Sequence, residues 1–195
     1  FRRRLGEVTG TATDDLDLLL AFRFAWADDP FSHFNLRRSP VSAEAMMKHF
    51  DGFRVGKPAA RVEMDGDLAI LRVDTMMGND TVEQVEAAYD EIARAGSRAL
   101  IIDLRGNEGG AFAVKPLVEH VIDEPMDAGY FMSQKWNGRH DRLPSADELA
   151  ALVPWTGWSV SAFWRSVQDE GLLRIRMQPA QPHFDGPVFV VVDHR

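Results

Sequence analysis

Two adjacent glycines, Gly109 and Gly110, stand where a predicted strand passes into a predicted helix, and their surroundings suit chemistry at a carbonyl group. Residues 99–110 read Ala-Leu-Ile-Ile-Asp-Leu-Arg-Gly-Asn-Glu-Gly-Gly, so a buried apolar strand runs directly into a glycine-rich turn. Glycine supplies positive φ and lets a substrate approach bare main chain. The helix that follows, with Pro116 near its first turn, points free N–H groups and the positive end of its dipole at the turn. The turn is therefore suited to stabilising an oxyanion.

The same glycines have a plainer interpretation, in which the turn only begins a helix. Nucleotide binding is excluded by spacing, because Glu108 occupies the position after Gly106 where Gly-x-Gly-x-x-Gly needs its second glycine. No Lys-Ser or Lys-Thr follows the glycine pair, as a phosphate-binding loop requires.

The segment Asp-Leu-Arg-x-Asn-x-Gly-Gly resembles the signature of the C-terminal processing (tail-specific) serine proteases, a family related to the tricorn core and to interphotoreceptor retinoid-binding protein. The resemblance implies that backbone N–H groups of Gly109 and Gly110 stabilise the oxyanion during hydrolysis of a peptide or protein substrate. We expect Asp103 and Arg105 to fix the loop by ion pairing, with Asn107 as a further structural residue of the site. No cofactor is implied.

A second match lies near the other end of the sequence. Residues 184–193, Phe-Asp-Gly-Pro-Val-Phe-Val-Val-Val-Asp, resemble the family's Gly-Pro strand, which in members precedes a turn that carries the nucleophilic serine. The printed sequence runs to Arg195, so we expect the serine within a short turn beyond that residue. On this interpretation the 195-residue chain has an incomplete core and is inactive by itself.

The resemblance also implies a general base near the start of the chain. Some members place a Ser-His pair in this region, which here is Ser32-His33 within Pro-Phe-Ser-His-Phe. A neutral imidazole can take the serine proton and return it to the leaving amine, so His33 is the candidate base and Ser32 its weaker polar partner. Two alternatives stay open: a lysine that follows the nucleophile, as in other members, or a His33 that is only packed among aromatic side chains.

Composition excludes several other classes of function. A net charge of −8 argues against nucleic acid as a partner, since a phosphate-binding surface needs a basic excess. No apolar run reaches the roughly 18 residues of a membrane span, and no His-Glu-x-x-His or similar spacing predicts a metal site. Because the sequence has no cysteine, disulfide chemistry gives no information on the cellular compartment. The resemblance favours a periplasmic or secreted protein. A homo-oligomer is compatible with the sequence.

The hydrophobic pattern predicts an α/β fold, and the resemblance implies that this fold is of the ClpP/crotonase type. Residues 1–60 are predicted as a helical N-terminal segment with an apolar face made of Leu16, Leu19, Leu20 and Phe24. Residues 61–195 are predicted as the partial protease core. Predicted strands cover residues 68–73, 130–135 and 172–177, and another begins at Ala99 and contains the apolar run from Leu100 to Ile102. One predicted helix begins at a capping box at Thr81 and ends near Gly96. A second follows the glycine pair and runs to residue 122, and a third covers residues 144–153. Strand, helix, strand, helix in this order predicts a parallel sheet.

Residues 137–171 read as an insertion dense in aromatic side chains, among them Trp155, Trp158 and Phe163. Such side chains fit a substrate-binding groove, and Trp155 and Trp158 are the candidate binding residues. A small satellite core or a subunit contact explains the same composition equally well.

Two alternatives from other functional classes remain at this stage. One is a non-catalytic domain of the same fold that binds a hydrophobic ligand or a peptide. The other is a crotonase-like enzyme acting on acyl-CoA, in which the same backbone donors stabilise a thioester enolate. Recognition of C-terminal tails by a PDZ domain does not carry over, because residues 54–61 leave no room for a domain of at least roughly 50 residues.

Overall fold

The computed structural model describes residues 2–28 and 36–193, and these divide into two units. The first unit spans Phe1–Ser42 and the second Ala43–Arg195. The second unit begins with a helix over Ala43–Asp51, called α3 below. The sequence analysis assigned these residues to the N-terminal segment.

The first unit contains two helices, α1 over Arg2–Thr11 and α2 over Asp15–Ala25. Asp14 caps α2, its carboxylate accepting a hydrogen bond of 2.9 Å from the Asp17 N–H. Val8, Phe22 and Trp26 form the small buried cluster of this unit. Three residues of the predicted apolar face, Leu16, Leu20 and Phe24, are exposed, and the fourth, Leu19, is half-buried. The buried side of α2 carries Phe22 instead.

A four-stranded sheet in the order β1-β2-β3-β7 organises the second unit. Its strands are β1 (Ala60–Asp65), β2 (Leu68–Val73), β3 (Ala99–Asp103) and β7 (Val188–Val191). The strands β2, β3 and β7 are parallel, whereas β1 pairs antiparallel with β2. The predicted α/β class with a parallel sheet is confirmed; β2 has the predicted bounds, and β3 begins at Ala99 as predicted.

Helix α4 (Asn79–Ala95) connects β2 to β3 and packs its apolar face on the sheet. Val85, Tyr89 and Ile92 are buried as predicted, and Gly96 ends the helix with φ 68°. The predicted capping box at Thr81 was wrong: the helix begins two residues earlier, and Thr81 is buried inside it.

A second, three-stranded sheet has the order β4-β6-β5, and its strand β5 lies within the predicted insertion. Its strands are β4 (Met126–Met132), β5 (Pro154–Trp155) and β6 (Leu172–Met177), of which β6 was predicted with the same bounds. The prediction of a strand through residue 135 was wrong, because helix α6 (Gln134–Arg139) begins there with Ser133 as its cap. Two other helices are shorter than predicted, α5 (Val114–Glu119) and α7 (Ala146–Ala150).

Helix α8 (Val160–Glu170) completes the insertion, and the sequence analysis did not predict it. Ser159 caps it, accepting a hydrogen bond of 3.1 Å from the Ala162 N–H. The Asp51 carboxylate also accepts hydrogen bonds from Val160 and Ser161 N–H groups, at 2.6 and 3.3 Å, so that α3 and α8 are joined. Within residues 2–28 and 36–193, every helix is too short or too polar to cross a bilayer.

We predict that Tyr89→Phe destabilises the fold by about 1–3 kcal/mol, the usual cost of leaving a buried polar group unpaired. The Tyr89 hydroxyl donates a hydrogen bond of 2.7 Å to the Leu117 carbonyl, and burial raises the pKa of Tyr89, so the group stays a neutral donor. The measurement is denaturant unfolding followed by circular dichroism. Tyr130→Phe is the matched control: its exposed hydroxyl contacts Asp127 at 3.3 Å, and its loss should change stability by less than about 0.5 kcal/mol. Equal losses for the two variants would contradict the prediction.

Candidate active site

The segment of residues 104–110, called the glycine turn below, lies where the parallel strands β2, β3 and β7 end. Carboxyl ends of parallel strands meet at one edge of a sheet, which is where ligands bind in open α/β folds. The Leu104 N–H donates to the Val191 carbonyl at 2.8 Å, and the Gly106 N–H donates to the Asp193 carboxylate at 2.9 Å. The glycine turn is thus bound to the residues that leave β7.

Asn107 ties the glycine turn to the end of β2. Its side-chain amide donates a hydrogen bond of 2.8 Å to the Val73 carbonyl, and its side-chain oxygen accepts one of 2.8 Å from the Gly109 N–H. Asn107 therefore has a clear structural role, and it occupies one of the two N–H groups that the sequence assigned to an oxyanion.

Gly110 lies against the main chain of the segment that follows β2. Its φ is 123°, and a Cβ at this position would lie 2.3 Å from the Met76 carbonyl carbon, so no side chain fits there. The Met76 N–H and the Thr75 hydroxyl both donate to the Gly109 carbonyl, at 2.7 and 3.0 Å. Among the described residues no acceptor pairs with the Gly110 N–H, and Gly110 is exposed. Of the two predicted donors, Gly110 is therefore the open one.

Ion-paired side chains lie at the ends of the strands beside the glycine turn. Asp103 is buried, and Arg105 donates to its carboxylate from Nε at 2.9 Å and from Nη2 at 2.8 Å, while Arg72 lies 3.6 Å away. The Arg105 hydrogen bonds lower the pKa of Asp103 to about 2. Partial burial raises the pKa of Asp74, but hydrogen bonds from Arg61 and Arg72 outweigh it and the pKa is lowered. These carboxylates are ionised and paired at neutral pH, which suits a scaffold rather than proton transfer.

Two cavities flank the glycine turn. The first, called the aromatic cavity below, has a volume of about 480 Å³ and is lined by Ala111, Phe112, Val114, Phe131, Trp155, Trp158, Val160, Phe163, Ile175 and Met177. The second, called the polar cavity, has a volume of about 460 Å³ and is lined by Phe53, Val55, Lys57, Ala59, Asp74, Thr75, Met77, Gly106 and Glu108. Residues close to Gly110 in the chain thus line both cavities: Ala111 lines the aromatic cavity, and Gly106 and Glu108 line the polar one.

The structure places Trp155 and Trp158 in the same cavity as Ala111, the residue that follows the glycine pair. The centroids of the two indole rings are 5.4 Å apart, and Trp155 also contacts Phe163 edge to face at 5.5 Å. Both tryptophans line the aromatic cavity, whose opposite wall begins at Ala111, the residue directly after Gly110. Sequence reasoning missed Phe112 and Phe131 as parts of this wall. Phe112 had a signal, its position two residues after the glycine pair, whereas Phe131 had none.

His33, the predicted base, and Ser32, its predicted polar partner, lie outside the described residues, so their roles stay predictions. Within the part of the chain that the structure describes, no three His, Asp or Glu side chains are grouped as metal ligands.

Comparison with known proteins gives a family match and a fold match. The profile of peptidase family S41 matches residues 67–195, a span that contains the glycine turn and the aromatic cavity. The fold is similar to that of a protein from Parabacteroides merdae assigned as a peptidase, with a TM-score of 0.52 and 12% identity over 98% of this chain. This chain spans 59% of the length of that protein.

Weaker matches are to mature CPAF. Its complex with lactacystin gives a TM-score of 0.34 and 17% identity over 80% of this chain and 42% of that one. A second structure of mature CPAF gives 0.34 and 18% over 80% and 41%. Proteins with a curated function give no significant match.

We predict that Gly110→Ala destabilises the fold by more than about 3 kcal/mol, because the added Cβ overlaps the Met76 main chain and the φ of 123° is strained for alanine. The matched control is Gly109→Ala. Gly109 also has a positive φ, 87°, but a Cβ there meets no atom within 4 Å, so only the backbone strain of about 1–2 kcal/mol is expected. Denaturant unfolding measures both losses. A loss at Gly110 no larger than that at Gly109 would show that the Met76 segment yields to the side chain.

Proposed function

This chain belongs to peptidase family S41, and from that premise we propose that it forms the oxyanion-binding and substrate-binding part of a serine endopeptidase of the tail-specific type. The observation that carries the proposal is the open Gly110 N–H, presented at the carboxyl edge of a parallel sheet beside the aromatic cavity. A hydrogen-bond donor held rigidly where charge develops is the arrangement that acyl transfer requires.

The Gly110 N–H would act when the serine oxygen attacks the carbonyl carbon of the scissile peptide. The carbonyl oxygen then becomes an oxyanion, and a donor fixed before the reaction stabilises it without reorganisation. Removing one such donor typically lowers turnover by about 100-fold to 1,000-fold. Collapse of the tetrahedral intermediate releases the amine, which takes the proton from the base, and water then hydrolyses the acyl-enzyme.

The geometry of β7 supports a nucleophile that follows it in the chain. Because β7 is parallel to β3, residues after Val191 emerge at the same edge of the sheet as the glycine turn. The hydrogen bond from Gly106 to Asp193 holds that exit beside the turn. We propose that a serine in a turn beyond Arg195 supplies the nucleophile and that His33, with Ser32 as polar partner, supplies the base.

A second candidate function is binding of a hydrophobic ligand or peptide without catalysis. The observation that favours it is the aromatic cavity, whose volume of about 480 Å³ lies within the range of small-molecule sites. It requires no serine after β7, which separates it from the peptidase.

We predict that the gene encodes a serine in a short turn beyond codon 195 and that the extended chain reacts at this serine with a fluorophosphonate. The 195-residue chain should neither react nor cleave casein, because a donor for an oxyanion has no effect where no nucleophile forms one. Serine→Ala in the turn should abolish labelling of the extended chain. A turn without serine would remove the peptidase assignment and favour the binding domain. Labelling of the 195-residue chain would instead show that the nucleophile is a serine within residues 1–195, which contradicts its predicted place after β7.

We predict that His33→Ala in the extended chain lowers turnover by about 100-fold to 10,000-fold, the usual effect of losing a general base, with little change in melting temperature. Activity of the wild type should rise with pH through the range in which histidine titrates, because the base acts when neutral. His140→Ala is the control, since its ring stacks on Trp136 at 3.8 Å and does not line the aromatic cavity. Normal turnover per folded molecule of His33→Ala would assign the base to a lysine after the nucleophile instead.

A further inference from the structure

We propose that the aromatic cavity selects substrates with a large, uncharged apolar side chain at the residue whose carbonyl lies on Gly110, and that Gly157 sets the depth of this pocket. The inference rests on the proposed function, since it assigns that substrate side chain to a wall that begins one residue after Gly110.

The walls of the cavity suit a large apolar group. Five of its lining side chains are aromatic: Phe112, Phe131, Trp155, Trp158 and Phe163. Phe131 and Phe163 meet edge to face with centroids 4.7 Å apart, and Phe163 meets Trp155 in the same way. The described lining residues include no charged side chain, so a buried apolar group leaves no polar group unpaired.

Aromatic walls also bind cations in some proteins, but here a cation stands at the wall already. Lys115 lies with its ammonium 5.7 Å from the centre of the Trp158 ring. Glu119 holds that ammonium by an ion pair, and Glu119 is itself buried and accepts a hydrogen bond of 2.9 Å from the Gln178 N–H. A lysine or arginine side chain of the substrate would find the Trp158 ring already in contact with the Lys115 ammonium and no carboxylate on the lining. The pocket therefore favours neutral side chains.

Trp158 is held in an unusual backbone conformation at this wall. Its φ is 31°, in the left-handed region that residues with a side chain rarely adopt. Strain of this kind persists where surrounding contacts determine the conformation, and it is frequent at binding sites. The contacts with Lys115 and with Trp155 are the ones that hold the Trp158 ring on the cavity.

Gly157 controls the position of the Trp155 ring. A Cβ on Gly157 would lie 2.8 Å from Trp155 Nε1 and 2.7 Å from the Ala162 Cβ, so the ring or α8 must shift. Gly157 and Ala162 line a neighbouring cavity of about 380 Å³, and Trp155 borders both cavities. A side chain at residue 157 therefore pushes the Trp155 ring toward the aromatic cavity and makes that pocket shallower.

The test measures binding of acetyl-Ala-Ala-X-amide peptides, where X is Phe, Leu, Ala or Lys, to the 195-residue chain by calorimetry and tryptophan fluorescence. The Phe and Leu peptides should bind at least about 10-fold more tightly than the Ala and Lys peptides, since even one methylene in an apolar pocket is worth about 10-fold or more. Equal affinity for all four peptides, or tightest binding of the Lys peptide, would overturn the proposal.

Gly157→Ala should weaken binding of the Phe peptide by at least about 10-fold and leave that of the Ala peptide unchanged, because only the deep part of the pocket is lost. Trp164→Ala is the matched control, since that side chain lies on α8, is exposed and does not line the cavity. Phe112→Ala serves if Gly157→Ala does not fold, and it should remove the preference for Phe. Equal weakening of the Phe and Ala peptides by Gly157→Ala would contradict its role in pocket depth.

Hydrolysis by the extended chain separates this inference from the proposed function. If Phe and Leu peptides bind selectively but are not cleaved, the pocket assignment stands and the peptidase assignment fails. If the extended chain cleaves peptides with a preference for Ala or Lys at that residue, the peptidase stands and the pocket assignment is overturned.

Discussion

The close approach of Gly110 to the main chain of Met76 is the contact on which the rest of the candidate site depends. Two backbone segments that leave neighbouring strands lie closer together here than a Cβ would permit. The approach lets the Met76 N–H bond to the Gly109 carbonyl, so the glycine turn continues the hydrogen bonding of the sheet. The two residues that follow this contact in the chain, Ala111 and Phe112, line the aromatic cavity.

The ion pair between Asp103 and Arg105 also holds the glycine turn in position. Buried ion pairs contribute little net stability, because the cost of removing both charges from water offsets their attraction. Their value here is geometric: the Asp103 carboxylate accepts hydrogen bonds from both the side chain and the main-chain N–H of Arg105, which fixes the chain directly after β3. The low pKa of Asp103 keeps that arrangement ionised well below neutral pH.

The sequence was sufficient where local pattern and tertiary environment agree. β2, β3 and β6 combine apolar runs with burial on at least one face; the predicted bounds of β2 and β6 hold, and β3 begins where predicted. β4 is largely exposed on both faces, so no alternation marked its ends. α8 was missed because its aromatic residues suggested a groove, although Ser159 at its start is an ordinary capping signal. The glycine pair was recognisable, but the separate fates of its two N–H groups depend on the Asn107 side chain, a contact that no local pattern specifies.

In the proposed function, the aromatic cavity and the Gly110 N–H act together on one substrate residue. Burial of an apolar side chain is strong but without direction, whereas a hydrogen bond to an oxyanion is directional and is effective only at short range. In the proposed function, side-chain binding in the cavity, whose lining includes Ala111 directly after the donor, would position the carbonyl for the hydrogen bond. The rigidity of the Gly110–Met76 contact is what makes that coupling useful, since a donor that moved with its loop would lose the alignment that side-chain binding supplies.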